Sequence, residues 1–205
     1  MITKGQSNFI KLIAIISMLL DHIGAFLFPL TALRIIGRIA LPIFAYQLGI
    51  GYRMTSDRKE YVKRILLFGL ISQIPFFLLN EGFKLNILFS LALGIFLIWA
   101  IEEKKYLYVY LIAPLSFFVE YQIYGLVLIS IFYFFKNKNH QFLLISAASF
   151  ASAFYYQTPI QLFAILSLPI IFKPSFEINI PRNLFYFFYP THLLLIYLIK
   201  IVFFK

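Results

Sequence analysis

Two short stretches hold the residue types that could do chemistry: Asp21-His22-Ile23-Gly24, and Leu33 to Phe44 with Arg34 and Arg38 inside it. Imidazole titrates near neutrality and can take or give a proton, and a neighbouring carboxylate can fix its tautomer. Guanidinium keeps its charge and offers a planar fork of donors to a carbonyl, phosphate or carboxylate oxygen. Arg34 and Arg38 are four residues apart, so on a helix they share a face. Adjacent helical residues point about 100° apart, so Asp21 either orients His22 or pairs with an arginine while His22 faces a cavity. Helix packing could also explain His22, and snorkelling could explain Arg34 at a helix start; Arg38 lies one turn deeper, where snorkelling is poor. Ionisable groups inside an apolar span cost roughly 2.5 to over 10 kcal/mol unless paired or wet. Four of them on two consecutive spans therefore mark a site.

The chain that positions them has 205 residues, 62% hydrophobic and 13% charged. Soluble domains lie near ~45–50% and ~25%. With a mean hydropathy of +0.89, the chain reads as an all-α, polytopic membrane bundle, one domain over 1–205. Apolar runs at 8–28, 34–54, 62–80, 85–101, 106–119, 121–135, 141–156, 158–172 and 184–204 predict eight or nine transmembrane helices, those between 106 and 172 being short. The first run has no small-x-small cleavage site and reads as a retained span, not a signal peptide. The absence of cysteine excludes disulfides and thiolate chemistry. Scattered histidines and few carboxylates give no metal motif, and there is no P-loop, dinucleotide turn or nucleophile elbow.

A net charge of +10 sits in short loops between apolar runs. That pattern points to the lipid bilayer as a partner and not to nucleic acid. With nine spans and a cytoplasmic N-terminus, thirteen of the eighteen basic residues fall inside and the C-terminus lies outside. In that orientation Asp21, His22, Arg34 and Arg38 share the outer half with Gln73, Asn86, Glu120, Tyr121, Tyr124 and Gln161, which predicts a cavity. His192 lies half-way through the last span, after Pro190, whose missing N–H breaks the early part of that helix. On the inner side, Arg58, Lys59, Lys63 and Arg64 could hold the phosphates of a nucleotide-like cofactor, or act only as an inside-positive anchor.

Lys11–Gly24, Leu33–Phe44, Tyr61–Arg64, Ser72–Phe76, Asn86–Phe89, Tyr124-Gly125 and Phe188–Leu193 follow one another in an order that resembles the TraX family of bacterial membrane proteins. The resemblance covers nearly the whole chain. That family is named for a conjugative-plasmid protein that N-acetylates pilin, and is similar to membrane acyltransferases with an intramembrane His and Arg. It implies His22, Arg34 and Arg38 as the catalytic set, supported by Asp21, with acetyl-CoA or another acyl-CoA as donor and no metal. The acceptor would be an unidentified peptide or glycan at the outer face of a bacterial inner membrane. Two rival readings stay open: a non-catalytic assembly factor for a pilus or secretion apparatus, and a small proton-linked transporter. An inverted repeat with paired broken helices would favour the transporter, and none is visible.

Overall fold

Short polar residues between the apolar runs set where helices begin. Thr3 forms a capping box with Gln6, its hydroxyl accepting from the Gln6 N–H at 3.1 Å while the Gln6 side chain accepts from Thr3 N–H at 3.0 Å. Asp57, Asn86 and Asn137 each cap the helix that follows them. The computed structural model describes residues 2–80 and 82–203, so Lys205 and the end of the last apolar run at 204 lie outside the described residues. The helices are α1 (Lys4–Phe26), α2 (Thr31–Gly37), α3 (Ala40–Met54), α4 (Arg58–Leu79), α5 (Ile87–Glu102), α6 (Tyr106–Leu115), α7 (Gln122–Phe134), α8 (Lys138–Tyr155), α9 (Ser167–Phe172) and α10 (Arg182–Phe203). Short 3-10 helices over Ser116–Phe118 and Pro159–Leu166 extend α6 and precede α9. No strand forms among the described residues; Leu85 and Val119 make a single bridge.

Loops gather at two ends. At the end holding the N-terminus, Arg58 donates to Glu102 at 2.8 Å, Lys138 to the Phe172 carbonyl at 2.7 Å, and Thr3 to Glu177 at 2.8 Å. At the far end the Leu85 N–H donates to the Phe118 carbonyl at 2.8 Å and the Tyr156 hydroxyl to Gln122 at 2.7 Å. Successive helical segments therefore alternate in direction. Four of them, Lys4–Phe26, Thr31–Met54, Arg58–Leu79 and Leu184–Phe203, are long and apolar enough to cross a membrane. The run at 85–101 forms a 16-residue helix instead, shorter than the ~20 residues that a hydrocarbon core of about 30 Å requires. The middle of the bundle is α3, α5 and α7, where Ile43, Ile95, Ile98, Leu128, Ile129 and Phe132 are at most 1% exposed. Around it, α1 packs on α2 and α3, and α10 packs on α4 and α1. α10 continues through Pro190 without the break that the sequence suggested; tertiary contacts on both sides hold it.

Two glycines explain how α1 and α2 come so close. A Cβ on Gly24 would lie 2.7 Å from the Leu33 Cβ, and one on Gly37 would lie 2.2 Å from the Asp21 Cβ. Small residues at a helix crossing let the backbones approach, and here that approach delivers the α2 arginines to the Asp21 carboxylate. Gly37→Ala should cost roughly 1–3 kcal/mol or more through overpacking and lower the midpoint of thermal unfolding in detergent. Gly82→Ala, where a Cβ would meet nothing within 4 Å, should leave that midpoint unchanged.

Candidate active site

One carboxylate serves two guanidiniums. Arg34 Nη1 donates to Asp21 Oδ2 at 2.6 Å, and Arg38 Nη2 donates to Asp21 Oδ1. Arg34 Nη1 also reaches the Asp21 carbonyl at 3.3 Å. Arg38 folds back over the end of α2, its Nε donating to the Arg34 carbonyl at 3.2 Å and its Nη1 to Gln161 Oε1 at 3.4 Å. Its guanidinium lies 5.7 Å from the centre of the Tyr121 ring. Asp21 and Arg38 are buried, whereas the Arg34 side chain is about one-third exposed at 32%. Of the two sequence alternatives for Asp21, the arginines win. Two guanidiniums share the Asp21 carboxylate, and Glu120 lies in the same cavity wall without an ion pair of its own among the described residues.

His22 has a different partner. Its Nδ1 is 2.8 Å from His192 Nε2, and His192 Nδ1 is 2.8 Å from the Phe188 carbonyl. A carbonyl only accepts, so His192 carries its proton on Nδ1 and offers the Nε2 lone pair. His22 must then donate from Nδ1, and in the neutral pair its Nε2 holds a lone pair. The two rings are coplanar within 4° with centroids 5.0 Å apart, the geometry of a head-on hydrogen bond in the ring plane. Nε2 of His22 has no hydrogen-bond partner among the described residues. Such an imidazole is oriented by a neighbour and left able to accept a proton.

Three spaces that share lining residues lie around this pair. A chamber of about 560 Å³ opens at the N-terminal end, with Lys11, Thr55 and Arg64 there and Met18, Phe44, Ile87 and Tyr189 at its deep end. Those four residues also wall a recess of only about 20 Å³, which His22, Asp21, Glu120 and Tyr121 complete. The last four in turn line a cavity of about 280 Å³ that adds Arg34, Arg38 and Asn80. His22 thus stands where the recess meets the far cavity. Glu120, which the sequence placed at this level without a role, is in the same wall, and its carboxylate makes no ion pair among the described residues. The turn bearing it is strained: Tyr121 and Gln122 have φ of 59° and 46°.

The other expected residues divide. Gln161 and Tyr121 touch Arg38, and His192 holds His22. Tyr124 is buried against the Ser149 hydroxyl at 2.9 Å, away from the cavity lining. Gln73 and Asn86 spend their polar atoms on one another and on backbone: Asn86 Nδ2 donates to Gln73 Oε1 and the Gly69 carbonyl, both at 2.8 Å, and Gln73 Nε2 to the Lys84 carbonyl at 2.9 Å. They tie α4 to the start of α5. Among the four basic residues expected to bind a cofactor, Arg64 lines the chamber, Lys59 and Lys63 are exposed, and Arg58 points to the opposite side of α4. Arg58 donates to Glu102 and, at 3.0 Å, to the Tyr133 hydroxyl, with Tyr52 stacked 4.6 Å away. No group of three or more His, Asp or Glu placed to hold a metal occurs among the described residues. Asp21→Ala should cost about 3–5 kcal/mol, because it strands buried guanidiniums. Asp21→Ala combined with Arg38→Met should recover part of that loss in thermal unfolding.

The TraX protein family matches residues 6–200. A probable fimbrial assembly protein, FimC, of Dichelobacter nodosus is 29% identical, covering 91% of this chain and 92% of that protein. An uncharacterized protein of Rickettsia prowazekii (strain Madrid E) is 41% identical over 98 residues, which are 45% of this chain and 38% of the length of that relative. No solved structure matches. A match that begins before the capping-box helix ends and runs to the last turns of α10 takes in every residue of the His22, His192, Asp21, Arg34 and Arg38 constellation, and the chain belongs to the TraX family.

Proposed function

We propose that this chain is a membrane-embedded acyltransferase that moves an acetyl or other short acyl group from acyl-CoA to an amine or hydroxyl presented at the far end. The observation that carries the reading is the oriented His22 imidazole with an open Nε2, standing between a chamber entered from one end and a cavity reached from the other. The acceptor enters the far cavity and its nitrogen or oxygen attacks the thioester carbonyl. His22 Nε2 takes the acceptor's proton as the new bond forms. The guanidinium donors of Arg38 and Arg34 that Asp21 leaves free stabilise the oxyanion. The carbon–sulfur bond then breaks, and the same proton passes from His22 to the departing sulfur. His192 positions His22 and spreads the imidazolium charge; it touches no substrate. Arg64 and Lys11 at the chamber mouth suit the phosphates of CoA, with Lys59 and Lys63 beside them on the exposed side.

The chamber end faces the cytoplasm in this reading, since CoA thioesters are made there, and the helical segments then form nine passages of a bacterial inner membrane, four of full length and the rest short. The fimbrial relative supports a pilus subunit as the peptide acceptor. It also favours a second reading, in which the cavity holds such a subunit during assembly without chemistry. Acetyl-CoA with an isotopic label in the acetyl group, supplied to inverted membrane vesicles, separates the two: label in a protein or polymer supports transfer, and label confined to CoA and acetate sinks it.

In that assay His22→Ala should lower the rate by on the order of 10²–10⁴. Arg38→Lys should fail as well, because an ammonium keeps the charge and loses the fork. His192→Phe should leave the protein folded yet slow transfer through a misoriented His22, with the donor KM little changed. Orientation is tested separately, in a chain free of native cysteine. Exposed Ser56→Cys should react with an impermeant maleimide only from the cytoplasmic side, and exposed Thr158→Cys only from outside; the reverse pattern would overturn the proposed direction of access.

A further inference from the structure

The recess between the two larger spaces is too small for most of what the chamber can hold. At about 20 Å³ it has room for little more than one water-sized group. Its apolar walls come from Met18 on α1, Leu41 and Phe44 on α3, Ile87 at the start of α5, and the Tyr189 ring on α10. One polar atom stands out among them. The Tyr189 hydroxyl is buried and has no hydrogen-bond partner, in a side chain only 4% exposed. A buried hydroxyl left without a partner is destabilising, and a ligand oxygen that accepts from it relieves that cost. The ring that carries it lies 5.5 Å from His192 at 53° and packs beside the histidine pair.

We propose that this recess is the acyl pocket, that its walls restrict the transferred group to two or three carbons, and that Tyr189 donates a hydrogen bond to the acyl carbonyl. The inference rests on the acyl-CoA reading above. A thioester coming from the chamber brings its sulfur to the deep end, where Met18, Phe44, Ile87 and Tyr189 narrow the space. Its carbonyl must arrive beside His22, so whatever follows the carbonyl points into the recess. A methyl or ethyl group fits there. A longer chain has to enter the far cavity, where it displaces the acceptor, or fold back against the incoming donor. Phe44 and Met18 are half-buried and belong to both spaces, so they act as the rim, while Leu41 and Ile87 are buried and form the floor.

The test needs no acceptor. CoA analogues in which a methylene replaces the sulfur carry an acyl ketone that cannot be transferred, and binding is read as thermal stabilisation of the detergent-solubilised full chain. Analogues with two- and three-carbon acyl groups should stabilise the wild-type protein more than CoA itself does. The eight-carbon analogue should stabilise it no more than CoA. Met18→Ala, at the half-buried rim, should raise affinity for the four-carbon analogue about tenfold, by relieving the clash with an extra methylene or two. Tyr189→Phe should weaken the two-carbon analogue by about five- to tenfold, the loss of one hydrogen bond, with CoA affinity unchanged; a purely structural role would shift both together. Equal stabilisation by all chain lengths, in wild type and in folded Met18→Ala, overturns the acyl pocket and leaves the enzyme reading standing. Stabilisation by none of the analogues and none by CoA overturns both.

Discussion

Among the described residues Asp21 is the one carboxylate that either site arginine is paired with, and both depend on it. A lone guanidinium in an apolar bundle costs several kcal/mol, so Arg38 could not remain buried without that partner. The shared carboxylate makes two demands that run through the first fifty residues. It requires α1 and α2 to touch, which Gly24 and Gly37 permit. It also requires the second passage to bend between Gly37 and Ala40, so that Arg38 can turn back over the α2 carbonyls. Sharing one carboxylate leaves N–H donors on both guanidiniums that Asp21 does not take up, and these are the donors that the proposed reaction uses.

Much of this was legible in the sequence because its signals are local. The Asp21-His22 pair and the four-residue spacing of Arg34 and Arg38 needed only helical geometry to suggest a common site. The apolar runs likewise gave the helices, while the caps at Thr3, Asp57, Asn86 and Asn137 emerge only in the structure. What could not be read was pairing across long separations. His22 meets His192 170 residues later, and no spacing rule links two imidazoles at that distance in sequence. Arg58 looked like a phosphate ligand because its neighbours are basic, but its partners, Glu102 and Tyr133, come from the ends of α5 and α7. Gln73 and Asn86 are polar at the right level for a cavity, yet they satisfy one another. A polar residue in an apolar helix announces a cost that must be met, and the sequence does not say whether backbone, side chain or substrate meets it.

Tyr189 and Glu120 illustrate the same limit from the other side. The motif around Pro190 stands out in sequence for its proline and histidine, and nothing in it singles out Tyr189. Only the three-dimensional arrangement shows that its hydroxyl is buried without a partner at the narrowest point. Glu120 lies in a turn whose consecutive positive φ angles at Tyr121 and Gln122 have no glycine to announce them. Both residues are placed by contacts between α10, α5 and the turn before α7, which local pattern does not encode.

The narrow waist also has a consequence for the membrane itself. A protein hollowed from both ends risks becoming a leak, since a continuous file of water would conduct protons and dissipate the gradient the cell maintains. Here the two hollows are separated by a space of about 20 Å³ walled by Met18, Leu41, Phe44 and Ile87, too little for a chain of hydrogen-bonded waters. The histidine pair ends in the Phe188 carbonyl, which has no proton to pass on. In the proposed reaction donor and acceptor meet at this constriction from opposite ends, and the same narrowness would interrupt a file of water between the two hollows of a membrane-spanning bundle.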